Sequence, residues 1–401
     1  MRYSARRALR IVAGLIVLAA LCVFASLHEP AGEDIEFIGV NFSAQSGFYE
    51  DEFYLTMSSS GGTIHYTLDS SDPDENSPVY TGPILIKDAS ENENVYSMIT
   101  SVSEWYGTGN RYSGTSEKAI YEVPEEPVDK ATVVRAVSID AFGNKSRINT
   151  GVYFVGYDDK DGYDHVGVVS IVTDPKNLFD DDTGIYVTGN ANPAGEFNPH
   201  GYGGNYYAVG LDWSKKSDIV FFGEDHELLW SGSYDIRTQG STSRSIVPKS
   251  LNLFWVKGYG SDRFSGEILF GTDRDYESVN LFGGASSVEN PIYDWLANEL
   301  TKDLSFATRI YKPYAVFLDG EYWGLEWLTQ RFRDEYFSEN YGTVENNVVL
   351  LKGGARNAGI LAVQILAGAR PELVAKLAEF RQKLVAKIEK KDANLQETLK
   401  S

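Results

Sequence analysis

The residues best placed to do chemistry form one short stretch. Gly240, Ser241, Thr242, Ser243 and Arg244 make a small-residue turn, and Lys249 follows on the next strand-like segment. Turns of this kind let backbone N–H groups approach a phosphate, and a lysine ammonium one strand away can meet its oxygens. The other candidates are thinner. The five histidines, 28, 65, 165, 200 and 226, are scattered without pairing motifs, and no carboxylate pair declares itself without geometry. Asp159, Asp161 and Gly162 echo the start of a calcium loop, but the terminal Glu and full ligand spacing are missing, so they read as a solvated charge run. No metal site is expected, and no catalytic residue is assigned.

Composition narrows the setting. The 401 residues carry 36 basic and 57 acidic side chains, net −21, with a single Cys. The charge is unevenly placed. Residues 1–30 are net +3. Residues 31–352 hold 23 basic against 51 acidic side chains, net −28. Residues 353–401 hold nine basic against five, net +4. A body this acidic repels phosphate backbones, which argues against nucleic-acid binding. One Cys excludes a disulfide framework and a Cys-based zinc site.

The elements around the turn fall into four segments. Residues 1–30 read as a signal peptide or membrane anchor, a basic start followed by the apolar run 11–27. Val23, Phe24 and Ala25 offer a cleavage point after Ala25; uncleaved, the run is long enough to hold the chain in a membrane. Both outcomes place residues 31 onward outside the cytoplasm, secreted or anchored at the cell surface. Residues 36–156 read as short strands separated by Asp/Ser/Pro/Gly turns, hence a β-sandwich. Ile64, Tyr66 and Leu68 alternate onto one face, as do Val133, Arg135, Val137 and Ile139. Residues 157–352, after an acidic linker at 157–164, read as mixed α and β. Phe317 to Tyr322 predicts a hairpin closed by Asp319-Gly320, with Trp323 and Trp327 packed beneath it. Residues 290–303 predict a helix with Pro291 in its first turn and Ile292, Leu296 and Leu300 on one stripe. Residues 353–401 predict two helices, 357–367 and 371–399, with Leu373, Leu377, Phe380, Leu384 and Ile388 at helical spacing.

Three resemblances are carried by local wording. Residues 62–69, Ser71-Asp72-Pro73 and Tyr80-Thr81-Gly82-Pro83-Ile84, with Val134-Arg135-Ala136 and Gly143-Asn144-Lys145-Ser146, resemble the Ig-like domain at the C-terminus of chitobiases and hexosaminidases, with an insert near 92–127. Such modules act as spacers or accessory domains; Trp105 and the tyrosines could touch carbohydrate or simply pack. Residues 168–179 and 184–187, then 233–250, then 314–325 and Asn340-Tyr341-Gly342 resemble, in that order, the spore coat protein H (CotH) kinase-like family. The resemblance implies an atypical protein kinase that moves phosphate from ATP, with Mg²⁺ or Mn²⁺, to Ser residues of coat or surface proteins. It makes Gly240, Ser241 and Arg244 part of a phosphate-covering turn and Lys249 the phosphate-binding lysine. The family has a Glu shortly after its Tyr-Trp-Gly motif, as a partner for that lysine. Gln330 stands at that place here, and Glu326 could take the role. The family's catalytic and metal-binding Asp and Asn residues come later, and nothing like them follows Asn346, so an incomplete, inactive lobe with no cofactor of its own is expected. Residues 354–367 and the Pro371 segment resemble the C-terminus of N5-carboxyaminoimidazole ribonucleotide mutase (PurE).

The expected fold class is therefore multidomain: an Ig-like β-sandwich, an incomplete α+β kinase-like lobe and a C-terminal helical tail. The expected function is an exported CotH-like kinase fragment without activity. A non-enzymatic cell-surface or spore-coat protein is the alternative, and a purine-biosynthesis protein read through the tail is the third. The expected partners are surface or coat proteins, with no nucleic acid. The charge switch and the loss of Tyr and Trp at 353 suggest a fusion, natural or made in assembly. One uninterrupted sequencing read across codons 340–365 is expected to show the junction intact; a read continuing into kinase-like sequence would remove it.

Overall fold

The computed structural model describes residues 39–103, 121–158, 160, 162–163, 165–191, 203–284, 292–304 and 307–342, with single positions 376, 379 and 382. The leader at 1–30, Trp105, the calcium-like Asp159 and Asp161, and the PurE-like tail apart from those three positions lie outside the described residues. The chain divides into two compact units, 1–331 and 332–401.

The first unit opens with a sandwich built from short strands. β1 (Val40–Phe42) pairs with β4 (Met57–Ser59), and β3 (Phe53–Leu55) with β6 (Ile84–Ile86). The larger sheet runs β2 (Gly47–Tyr49), β8 (Asn149–Val155), β7 (Thr132–Ile139), β5 (Thr63–Thr67). Leu55, Met57, Ile86, Val134, Ala136 and Tyr153 fill the space between the layers. The expected alternation holds only in part. Ile64 and Tyr66 pack on this core, but Leu68 falls past the end of β5 and is half-exposed, while His65 and Thr67 on the other face are buried. Arg135, placed by alternation with Val133 and Val137, is also buried, and ion-pairs with Asp72.

The α+β expectation for the next segment is corrected. Seven strands close into a barrel in the order β10 (Lys215–Phe222), β11 (Leu228–Thr238), β12 (Leu251–Phe254), β13 (Ser278–Phe282), β15 (Glu321–Gln330), β14 (Tyr311–Leu318), β9 (Gly167–Val172). Every pairing is antiparallel except β14 with β9, which closes the ring in parallel. The helices in this unit are short: α1 (Pro175–Phe179), α2 (Gly266–Phe270) and α3 (Tyr293–Thr301). Alternate residues point inward and fill the ring, among them Val169, Ile171, Ile219, Phe221, Tyr234 and Ile236. The Asp319-Gly320 turn forms as expected: both residues have positive φ, 49° and 90°, the twist a two-residue hairpin requires. Trp323 is buried beside it, and Trp327 is buried farther along β15, opposite Pro313.

The stripe predicted for α3 does not reach the core. Ile292, Leu296 and Leu300 are exposed, Leu300 at 75%. The helix turns its other face inward instead, where Trp295 stacks on Trp327 at 5.6 Å and 7° and the Asn298 side chain accepts from the Arg309 N–H at 3.0 Å. Large flat rings bury more area per contact than the aliphatic stripe, and the helix rotates to follow them.

Sandwich and barrel share one core. Phe48, Val133, Val152 and Phe154 from the sandwich meet Val168, Val172, Phe222, Ala315 and Phe317 from the barrel. Phe154 is the hub, 4.5 Å from Phe48, 5.7 Å from Phe222 and 4.9 Å from Phe317. The linker read as solvated contributes to it: Tyr157 and Tyr163 are buried against Phe154 and Phe317. Polar ties surround the rings. Asp218 accepts from the Thr150 hydroxyl at 2.6 Å and lies 3.6 Å from the Arg135 guanidinium. Glu321 accepts from the backbone N–H groups of Val95 and Ser97 at 2.6 and 2.8 Å.

In the second unit, α4 (Asp334–Tyr341) starts with Asp334 and Glu335, which suit its positive end, and stops at Gly342 in the left-handed region. Phe332, Tyr336 and Phe337 pack on one another.

Because the junction is a true core, Phe154→Ala is expected to cost about 3–5 kcal/mol. It should keep a single urea transition in which circular dichroism and tryptophan fluorescence move together. A separate early transition of the sandwich would show that the two modules fold independently.

Candidate functional site

The turn and the lysine do come together, at one end of the barrel. β11 ends at Thr238 and β12 begins at Leu251, and the intervening segment folds back across the mouth. Gly240 takes φ 127°, a conformation a side chain would resist, and a Cβ there would collide with the Ser243 hydroxyl. Ser241 then leads into a tight helical turn at Thr242–Ser245. Arg244 holds the turn closed. Its Nε donates to the Gly240 carbonyl at 3.0 Å, and one terminal nitrogen reaches the carbonyls of Tyr206, Tyr207 and Ala208 at 3.1–3.4 Å. Burial lowers its affinity for its proton from the usual guanidinium range.

Lys249 sits in the protein interior. It is 0% exposed. Its backbone N–H donates to the Tyr186 hydroxyl at 2.7 Å, and its Nζ donates to the Arg244 carbonyl at 2.6 Å. The Tyr206 ring lies 4.1 Å from that nitrogen and the Tyr186 ring 5.3 Å, so two aromatic faces replace water around the cation. Among the described residues no carboxylate pairs with it. Burial pushes the ammonium well below its ordinary range.

Glu326 and Gln330 separate. Both point into the barrel, since their cross-strand partners Tyr314 and Val279 do. They stand four residues, roughly 13 Å, apart along β15. Gln330 is already engaged: its amide donates to the Tyr276 hydroxyl at 2.8 Å and its carbonyl oxygen accepts from the Ile310 N–H at 3.2 Å. It is a core-spanning amide, with no contact to Lys249. Glu326 lies nearer the capped end, where its charge acts on the Tyr186 hydroxyl. One of its carboxyl oxygens is buried without a partner, and burial pushes its pKa up to about 8. At neutral pH it is held largely as the neutral acid.

Sequence reasoning missed the lid over this end. Tyr186 is buried completely and also accepts from the Trp323 indole N–H at 2.9 Å. The sandwich insert reaches the same place: Tyr121 stacks near Trp323 at 6.3 Å, Val102 enters the barrel core, and the Ser103 hydroxyl donates to the Ser245 carbonyl at 3.0 Å. The only signal was Gly184-Ile185-Tyr186-Val187, notable in the sequence solely for its resemblance.

ATP does not fit this arrangement. A phosphate at Lys249 would have to displace a carbonyl oxygen and an aromatic face, both of which repel an anion. Among the described residues no group of three or more His, Cys, Asp or Glu side chains is arranged to hold a metal ion, and no helix is long and apolar enough to cross a membrane.

Comparison with known proteins bears on the sandwich. Residues 53–153 match the family model described as Fn3 associated, a β-sandwich-type domain consistent with an Ig-like or fibronectin-like module. The match reaches neither the CotH-like stretches nor the tail. No curated protein matches the chain.

The buried Glu326 gives a pH dependence with a definite sign. Its folded pKa lies above the unfolded value, so its contribution is fully present below about pH 4.5 and is lost as pH rises through about 8. Glu326→Gln is expected to remove that decline and to raise stability at pH 9, by an amount on the order of 4 kcal/mol. Urea titrations of both proteins from pH 5 to 9 check it; parallel curves would place the carboxyl in water.

Proposed function

We propose that this is an exported surface or coat protein in which the sandwich and the barrel act as one rigid unit. The barrel is a CotH-like lobe that does not transfer phosphate in the state described here. The observation behind this reading is the Lys249 ammonium, sealed by the Arg244 carbonyl, Tyr186 and Tyr206. A phosphate-binding lysine must offer its donors to an open cleft. This one offers them to the protein itself.

The setting supports export. The basic start and apolar run 11–27 have the order of a secretory signal. A body of net −28 stays soluble without a partner of opposite charge. The Fn3 associated match fits an extracytoplasmic module. The tail at 353–401 keeps its likeness to the PurE C-terminus, to which no activity is assigned.

Thermal unfolding of the full chain with about 1 mM ATP and Mg²⁺ or Mn²⁺ is expected to match unfolding without them, since a ligand that binds only the folded state must raise the midpoint. A metal-dependent rise that Lys249→Ala abolishes would overturn the reading, as would transfer of labelled phosphate from ATP to a Ser-rich peptide.

A further inference from the structure

A groove of about 430 Å³ lies away from the capped end, where Trp230 and Trp255 pack against the barrel core. Its aromatic wall is Trp230 on β11 and Trp255 just after β12. Both rings are half-buried, and both indole N–H groups are spent inside the protein: Trp230 donates to the Tyr234 hydroxyl at 2.6 Å, Trp255 to the Ser261 carbonyl at 2.8 Å. The bonds fix the ring planes without using the ring faces. The facing wall is polar. Asp262 and Asp275 are exposed, and the Asp262 carboxylate has no hydrogen bond within the described residues. Ser261 and Ser265 each accept a backbone N–H, from Ser233 at 2.7 Å and from Ile268 at 3.3 Å, which leaves each hydroxyl proton free to donate. Arg263 lies 5.2 Å from the Trp255 ring and pairs with Glu277 at 2.5 Å.

We propose that this groove binds a neutral or amine-bearing oligosaccharide. The ligand must present an apolar face to fixed indoles, hydroxyls that donate to the free Asp262 carboxylate and to Asp275, which among the described residues accepts only the Gly266 N–H at 3.4 Å, and oxygens that accept from serine hydroxyls. A pyranose has all three on one rigid ring. An anionic ligand meets Asp262 and Asp275 and is repelled. A cationic peptide satisfies the carboxylates but leaves the serine donors and the rings unused. The volume is within the range of small-ligand sites and takes one or two sugar rings. Carboxylate–hydroxyl bonds are charge-assisted, and stacking on a rigid ring costs little ordering entropy on the protein side. The proposal does not depend on the barrel's relation to kinases.

Isothermal titration calorimetry of the full chain with chitohexaose and with cellohexaose tests it. At least one is expected to bind, and Trp255→Ala and Asp262→Asn are each expected to weaken that binding about tenfold or more. Asp262 is exposed, so its Asn variant should unfold within about 2 °C of the parent, which separates lost binding from lost folding. No binding of either sugar at about 10 mM would overturn the proposal. So would sugar binding unchanged in both variants, or binding of hexalysine in place of sugar.

Discussion

The structure depends on one desolvated aromatic contact, the packing of Phe154 against Phe222 and Phe317. A sandwich in which five of eight strands are three residues long buries little apolar surface by itself. β8 solves this by using both of its faces: Tyr153 and Val155 close the sandwich core, while Val152 and Phe154 go into the junction. The barrel makes the matching sacrifice. Val168, Val172, Phe222 and Phe317 point out of the ring and would lie in water without the sandwich. Each module leaves exposed what only the other can cover, so the boundary between them is a core seam.

Once the seam is set, the insert at 92–127 has a short path to the barrel mouth. Glu321 stands just past the hairpin turn and fixes the insert's backbone at Val95 and Ser97. From there Tyr96, Ile99, Val102 and Tyr121 pack on the barrel core. The Ser101 carbonyl accepts from the Thr188 N–H at 2.8 Å, tying the insert to the loop that carries Tyr186. Tyr186 and the turn at Gly240–Ser245 in turn enclose Lys249. The sealed lysine is therefore fenced by the Arg244 carbonyl and the Tyr186 and Tyr206 rings, with no carboxylate beside it among the described residues, and the insert holds that enclosure through Ser101 and Ser103.

Legibility in the sequence followed locality. The sandwich strands and the Asp319-Gly320 turn were readable because each is specified by neighbours a few residues away; Trp323 and Trp327 were readable as packing residues, but the rings that cover them, Tyr186 and Trp295, come from far along the chain. The closed barrel was not. β9 and most of β13 are buried on both faces, so they lack the alternation that marks a strand with one wet side. Lys249 was readable as a residue near a Gly/Ser turn but not as a buried one, because its cage comes from Tyr186 and Tyr206, far along the chain. Gln330, at the place of the family's Glu, and Glu326, its possible substitute, lie four residues apart, and on a strand that spacing puts them on one face but in different layers. The α3 stripe shows that helical period tells which residues share a face, not which face is covered.

The acidic excess of the body also acquires a structural reading. Many of its carboxylates serve as local acceptors for backbone N–H groups. Asp180 accepts from Asp182, Thr183 and the Thr183 hydroxyl, and Asp140 from Phe142 and Asn144. Hydrogen bonds of this kind hold Asp180, Asp140 and Asp74 below the usual carboxylate range, through the backbone of Thr183, the side chain of Asn144 and the backbone of Asn76 respectively. These groups favour folding above the ordinary carboxylate pKa and stop doing so as pH falls through their lowered values. Asp319 and Glu326 have the opposite sign, because burial raises them and ionisation then opposes folding. The turns in water thus favour higher pH, and the carboxyls in the seam and the barrel favour lower pH. The net charge of the body counts both kinds alike, although Glu326, unlike the carboxylates in the turns, is held largely as the neutral acid at neutral pH.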